Sequence, residues 1–134
     1  GLGVGVMCGL LYAIGGHTTS DCSATVVDDI TVLKTAEVYN PKTKNWKLIA
    51  PMNVARTNLA VTVVCDKLYA IGGDEDITNT VEVYDPKTNK WKLINGELNI
   101  SRSGLGSASL ANKLYAFGGI DNNGEVLNSS EISI

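Results

Sequence analysis

The 134-residue sequence predicts an all-β fold built from a repeated four-stranded unit, and three observations carry that prediction. A short apolar segment stopped by two glycines occurs three times: Leu10-Leu11-Tyr12-Ala13-Ile14-Gly15-Gly16, Lys67 to Gly73, and Lys113 to Gly119. Residues 36–49 and 81–94 match at ten of fourteen positions, with Tyr39/Tyr84 and Trp46/Trp91 each 45 residues apart. Runs rich in Val, Ile, Tyr and Trp are broken by Gly and Pro, and no 3.6-residue periodicity accompanies them. Self-similarity at this period marks an array, and four short strands per copy make one blade of a β-propeller.

The elements follow in order. Gly1 to Met7 alternates small and apolar residues, as a strand in a crowded place would. It is not a dinucleotide fingerprint, because Val6 or Cys8 stands where the third glycine is needed. Gly9 turns the chain into strand Leu10 to Ile14, and the double glycine Gly15-Gly16 ends it. His17 to Leu33 reads as a long polar loop. Ala36 to Tyr39 is the third strand, Asn40-Pro41-Lys42-Thr43 supplies turn chemistry, and Trp46 to Ile49 is the fourth. The next cycle has strands at Leu59–Val64, Lys67–Ile71, Val81–Tyr84 and Trp91–Ile94. The last has Leu105–Leu110, Leu114–Phe117 and Ser130–Ile134. The expected organisation is a first blade over about 1–50, a second over about 56–95 and a partial third over about 102–134. The outer faces of such a piece should be large, apolar and exposed.

Composition narrows the function. Eleven basic and fourteen acidic residues give a net charge of −3, and no basic run is present, so nucleic acid is a poor partner. No apolar stretch approaches the roughly 18 residues of a membrane span, and no signal peptide opens the chain. Three cysteines at irregular spacing are neither a disulfide framework nor a metal site; reduced thiols and a cytoplasmic location are expected. Cys8 and Cys65 are expected in the core, and Cys22, beside Asp21, is expected to be unreactive. No metal cluster, nucleophile–base pair or cofactor loop is legible, so neither a cofactor nor enzymatic chemistry is expected.

The double glycine after Leu-Tyr-Ala-Ile, then Glu-Val-Tyr-Asp-Pro, then Trp seven residues after that Tyr, resembles the kelch repeat over essentially the whole chain. The repeat residues are Gly15, Gly16, Tyr39, Trp46, Gly72, Gly73, Tyr84, Trp91, Gly118 and Gly119. Ala50-Pro51-Met52 followed by Arg56, and Arg102-Ser103-Gly104 before a strand, are similar to the BTB-kelch subgroup. The resemblance implies a kelch propeller fragment of about three blades, the third incomplete. It further implies a non-catalytic module that recognises a peptide motif of a substrate protein. In a full-length adaptor of a cullin-RING ubiquitin ligase, a BTB region outside this sequence would hold the cullin. An actin-binding or cytoskeletal scaffold is the alternative.

Blade topology locates the binding face independently. If strands a, b, c and d alternate in direction, b–c loops and d–a linkers emerge together. The b–c connections vary, with 21, 9 and 12 residues from the second glycine to Glu37, Glu82 and Glu131. Length variation and polarity mark this face as the functional one. Arg56 and Arg102 sit there, just before a first strand. Each either offers its planar fork to a carboxylate or ties down its own linker by donating to carbonyls of the neighbouring blade. The resemblance implies the first, toward acidic peptides. Asn58, Ser103, Asn79, Thr80, Asn128 and Ser129 are further partner-binding candidates. The 17–33 loop is expected at the pocket rim.

Other features read as structural. Tyr39, Tyr84, Trp46 and Trp91 are expected between blades; Tyr12, Tyr69 and Tyr115 in the core, each hydroxyl on a backbone partner. Asp74-Glu75-Asp76 reads as a solvated loop. Asp121 to Glu125 lacks the glycine of a calcium loop at residue 126 and reads as a turn at Asn123-Gly124. His17 reads as a loop residue rather than a base. Asn99-Ile100-Ser101 and Asn128-Ser129-Ser130 match the glycosylation pattern by chance.

Overall fold

The computed structural model describes residues 1–19, 30–73, 79–94 and 98–133, and every regular element among them is a β-strand. The expectations for Asp21, Cys22 and Asp74 to Asp76 lie outside the described residues. In the first part of the chain the strands are β1 (Gly3–Met7), β2 (Leu10–Ile14), β3 (His17–Thr19), β4 (Ile30–Val32), β5 (Ala36–Asn40) and β6 (Asn45–Ile49). Then come β7 (Ala60–Val64), β8 (Lys67–Ile71), β9 (Val81–Asp85), β10 (Lys90–Ile94), β11 (Gly106–Leu110), β12 (Lys113–Phe117) and β13 (Ser130–Ser133).

They form three successive antiparallel sheets: β1-β2-β5-β6, then β7-β8-β9-β10, then β11-β12-β13. Each sheet is one blade of a β-propeller. The register repeats with the sequence: Tyr39 lies opposite Trp46 and Tyr84 opposite Trp91. The long connection differs from its expected form. Its two ends pair as an antiparallel hairpin, β3 with β4, instead of running as a loop. Three residues a side, His17-Thr18-Thr19 and Ile30-Thr31-Val32, are too short to show alternation in sequence.

The turns between first and second strands explain a second difference. Cys8-Gly9, Cys65-Asp66 and Ala111-Asn112 all have positive φ at both central residues, the backbone of a two-residue I′ hairpin turn. Such a turn projects its side chains away from the sheets, so Cys8 and Cys65 are exposed free thiols and not core residues. The Cys8 thiol stands 3.9 Å from Oδ1 of Asp66 on the next blade.

Packing occurs blade on blade. Met7, Tyr12, Ile14 and Ala36 of the first sheet bury against Leu68, Ala70 and Tyr84 of the second, with Val61, Val63 and Trp91 at the edges. Strand β1 must be small on that side: a Cβ at Gly5 would press on Leu68 and Val61. The other face of the second sheet buries Ala60, Val64, Ile71 and Val81 against Leu114 and Ala116 of the third. Trp91 donates its indole N–H to the Ala50 carbonyl at 2.7 Å, and Asn89 accepts the Ala50 N–H at 2.9 Å. The second-blade aromatics thus sit between blades, with Tyr12 and Tyr84 rings 6.2 Å apart across the joint. Trp46 is 50% exposed on the opposite face of the first sheet, beside exposed Val4, Val6 and Leu48. Tyr12 is core, whereas Tyr69 and Tyr115 are half-buried. Burial, then the neighbouring Cys8, pushes the Tyr12 hydroxyl pKa up.

The double glycines answer to the joint as well. Gly72 has φ +65°, and a Cβ there would overlap the carbonyl of Arg102 in the linker to the next blade. Gly15 stands in the same relation to the Arg56 carbonyl. Beside them, the Gly16 and Gly73 N–H groups donate to those carbonyls at 2.8 and 3.0 Å. One glycine lets the backbone approach and the next one bonds it.

Candidate partner-binding face

The connections between second and third strands and the linkers between blades meet on one face. Each linker is clamped by side chains of the blade that follows it. Arg56 donates Nε to Glu82 Oε1 (3.3 Å), Nη1 to the carbonyls of Gly72 (2.7 Å) and Thr80 (3.2 Å), and Nη2 to Thr80 Oγ1 (2.8 Å). Glu82 also accepts the Asn53 and Val54 N–H groups at 2.7 and 2.9 Å. The third blade repeats this. Arg102 donates Nε to Glu131 Oε1 (2.9 Å), Nη1 to the carbonyls of Gly118 (2.9 Å) and Ser129 (3.0 Å), and Nη2 to Ser129 Oγ (2.8 Å). Glu131 accepts the N–H groups of Asn99 and Ile100.

Both arginines are 1% exposed. Their forks are taken up by acceptors of their own blades, so they do not offer a charge to an acidic peptide. This corrects the partner-facing expectation at Arg56 and Arg102. They tie down their linkers, and the carbonyls they hold belong to their own blade rather than to a neighbour. Thr80 and Ser129 give their hydroxyls to the same clamps. Burial pulls the Arg56 guanidinium below its ordinary pKa, with Glu82 acting in the other direction. Burial pushes the Glu131 carboxyl up, but the Asn99 amide, the Arg102 guanidinium and the Ile100 amide more than reverse it, leaving it below the ordinary carboxylate range.

The remaining candidates separate. Asn79 donates Nδ2 to the Leu98 carbonyl, while its own carbonyl accepts the Leu98 N–H; both distances are 3.1 Å. It therefore closes the second blade onto the following linker. Ser103 is half-buried and exchanges backbone hydrogen bonds with Ile120 at 3.0 and 2.9 Å. Asn128 is exposed. Asn58 is exposed at φ +53°, a left-handed conformation that Asn tolerates. Its N–H donates to the Gly1 carbonyl (2.7 Å), and its carbonyl accepts the Gly104 N–H (2.8 Å). Gly1, Asn58 and Gly104 hold equivalent places, so this chain of bonds links three blades.

Sequence reasoning missed three features of this face. Glu82 and Glu131 recur in register with Arg56 and Arg102, at separations of 26 and 29 residues, and that shared recurrence was the available signal. His17 Nδ1 meets Thr57 Oγ1 at 3.0 Å, joining β3 to the second blade's linker. Ile120 and Val126 pair across the tip of the third connection with exposed side chains. In that tip Asp121 Oδ1 accepts the N–H groups of Asn123 and Glu125, and Gly124 has φ +79°. The turn expected at Asn123-Gly124 is thus held by Asp121. Among the described residues no three His, Cys, Asp or Glu side chains gather as metal ligands, and no helix is long and apolar enough to cross a membrane.

The sequence profile of the Kelch motif matches three times, over residues 1–53, 55–96 and 101–132. The chain belongs to the kelch family. These kelch repeats are 38% identical over 73 residues to the human Influenza virus NS1A-binding protein, covering 54% of this chain and 10% of that protein. They are 37% identical over 78 residues to Kelch-like ECH-associated protein 1A of Danio rerio, covering 58% of this chain and 12% of that protein. Each match thus takes in only about a tenth of the relative's length. Among solved structures, YjhT superposes with a TM-score of 0.70 at 20% identity, over 91% of this chain and 34% of that one, which shows the propeller fold.

Proposed function

We propose that these kelch repeats are the substrate-recognition part of a BTB-kelch adaptor for a cullin-RING ubiquitin ligase. They would present the face of blade linkers and second-to-third-strand connections to a peptide of a partner protein. One observation carries the reading. The clamps that hold this face are nearly identical in two blades, whereas the connections they anchor differ in length and composition. A fixed frame with variable edges is how a scaffold carries recognition. The relatives named above support the same subgroup. Exposed Asn58 and Asn128, together with the hairpin of β3 and β4, are the proposed contacts, and the site is cytoplasmic.

The test is affinity capture with the full-length protein that carries these repeats. It is run beside Asn58→Ala and beside a form whose 17–33 connection is cut to the length found in the second blade. Circular dichroism establishes that each variant folds. A cullin subunit should be captured by all three forms, and a set of further proteins should be lost from the variants. Actin co-sedimentation without cullin capture would replace the adaptor with a cytoskeletal scaffold. Partners retained in full by both variants would move recognition off this face.

A further inference from the structure

The resemblance to BTB-kelch proteins implies an acidic peptide as partner, met by arginines. Here those arginines are buried in clamps, and a different charge is exposed on the third blade. A groove of about 310 Å³ runs between the linker Asn99-Ile100-Ser101 and the turn Asp121-Asn122-Asn123. Its six lining residues include one carboxylate, three amide side chains and no cation. Glu125 is exposed on the same turn. Both walls are fixed without help from a ligand. The linker hangs from Glu131 through the Asn99 and Ile100 N–H groups. The turn hangs from Asp121 Oδ1, and the Ser103–Ile120 exchange holds the walls together. A groove whose walls are already bonded needs less ordering on binding.

We infer that this groove takes a lysine or arginine side chain of a partner peptide, placed against the Asp121 carboxylate. The inference rests on the partner-binding reading and adds the chemistry of the partner. Asp121 Oδ1 is engaged by two backbone amides, whereas among the described residues Oδ2 has only the long 3.4 Å contact from Asn123 Nδ2. A cation therefore has an acceptor, and the amides of Asn99 and Asn122 stand beside it. Exposed Ile100 and Ile120 (39% and 44%) and Val126 (82%) give the peptide's neighbouring residue an apolar surface. An acidic peptide would meet Asp121 and Glu125 with no compensating cation in the groove. Like charges so placed repel and select against that partner.

The test selects peptides from a random phage-displayed library on the full-length protein, then measures the selected peptides by fluorescence anisotropy. Asp121→Asn removes the charge but keeps the side-chain oxygen that caps the turn. Asn122→Arg puts a cation in the groove. Selected peptides should be enriched in Lys or Arg, and Asp121→Asn should weaken them about tenfold, as expected for loss of a charge-assisted hydrogen bond. Asn122→Arg should weaken them at least as much, with unfolding midpoints unchanged in both variants. Peptides enriched in Asp or Glu, or affinity unmoved by either substitution, would overturn the inference while leaving partner binding intact. Failure to select any peptide would overturn both.

Discussion

Trp91 and Trp46 hold the same place in successive copies of the repeat, and their surroundings differ completely. Trp91 is half-buried in the joint between the first two blades, its indole N–H on the Ala50 carbonyl. Trp46 is half exposed on the outer face of the first blade, beside Val4, Val6 and Leu48. Glutamate shows the same contrast: Glu82 is fully buried in its clamp, and Glu37, its counterpart, is exposed. The lesson concerns where a repeat stores its stability. Each blade contributes half of every joint, and the half does nothing until a linker or a blade meets it.

The largest effect should come from breaking a buried clamp and comparing it with its exposed counterpart. Glu82→Ala leaves the Arg56 guanidinium buried without its carboxylate and should cost about 3–5 kcal/mol. Glu37→Ala in the 134-residue chain should fall within about 0.5 kcal/mol, like other surface changes. Urea unfolding of both variants checks this. Equal costs would mean that the clamp adds nothing beyond a surface carboxylate.

Glycine sharpens the same comparison. Gly72→Ala combines a left-handed φ with overlap on the Arg102 carbonyl, and on the order of 3 kcal/mol should be lost. Gly118 has φ +59°, but its nearest neighbour is the Leu127 carbonyl at 3.5 Å, so Gly118→Ala should cost only the strain, about 1 kcal/mol. Thermal melting separates the two, and a matching shift would place the penalty in φ alone. Trp91→Phe leaves the Ala50 carbonyl without its indole donor, and about 1 kcal/mol should go with it. Trp46→Phe should leave the midpoint where it is.

The fold was legible because its signals are local. Double glycines, the Tyr and Trp pairs seven residues apart, and the Pro turns each lie within one hairpin, and their repetition counts the blades. The site was legible only in part. Which face bears the connections follows from strand order alone, so Asn58 and Asn128 could be placed there and are exposed. Whether Arg56 points outward depends on a Glu that is 26 residues away and on the register that brings it in. Cys8 and Cys65 were misplaced because their apolar flanks suggested burial, although each opens a two-residue turn whose side chains leave the sheet. The β3–β4 hairpin was missed because three residues a side carry too little pattern.

The smallest contrast lies in a slope rather than a midpoint. Glu131 closes the clamp of the third blade, with more exposure than Glu82 has in the second. Burial raises its pKa, but the Asn99 amide, the Arg102 guanidinium and the Ile100 amide lower it further, so the folded value lies below the unfolded one. A carboxylate of this kind stabilises the fold fully above its unfolded pKa. That contribution is lost as the pH falls through the folded value, because the unfolded chain takes up the proton more readily. The urea midpoint should therefore drop as the pH falls from roughly 5, near the ordinary glutamate value, through the lower folded one. Glu131→Gln keeps the acceptor oxygen and removes the titration. Its midpoint at neutral pH should be lower than that of the parent chain, and its fall on acidification shallower. If the variant and the parent fall in parallel, the acid sensitivity belongs to other carboxylates, and the third clamp is held by hydrogen bonds without regard to charge.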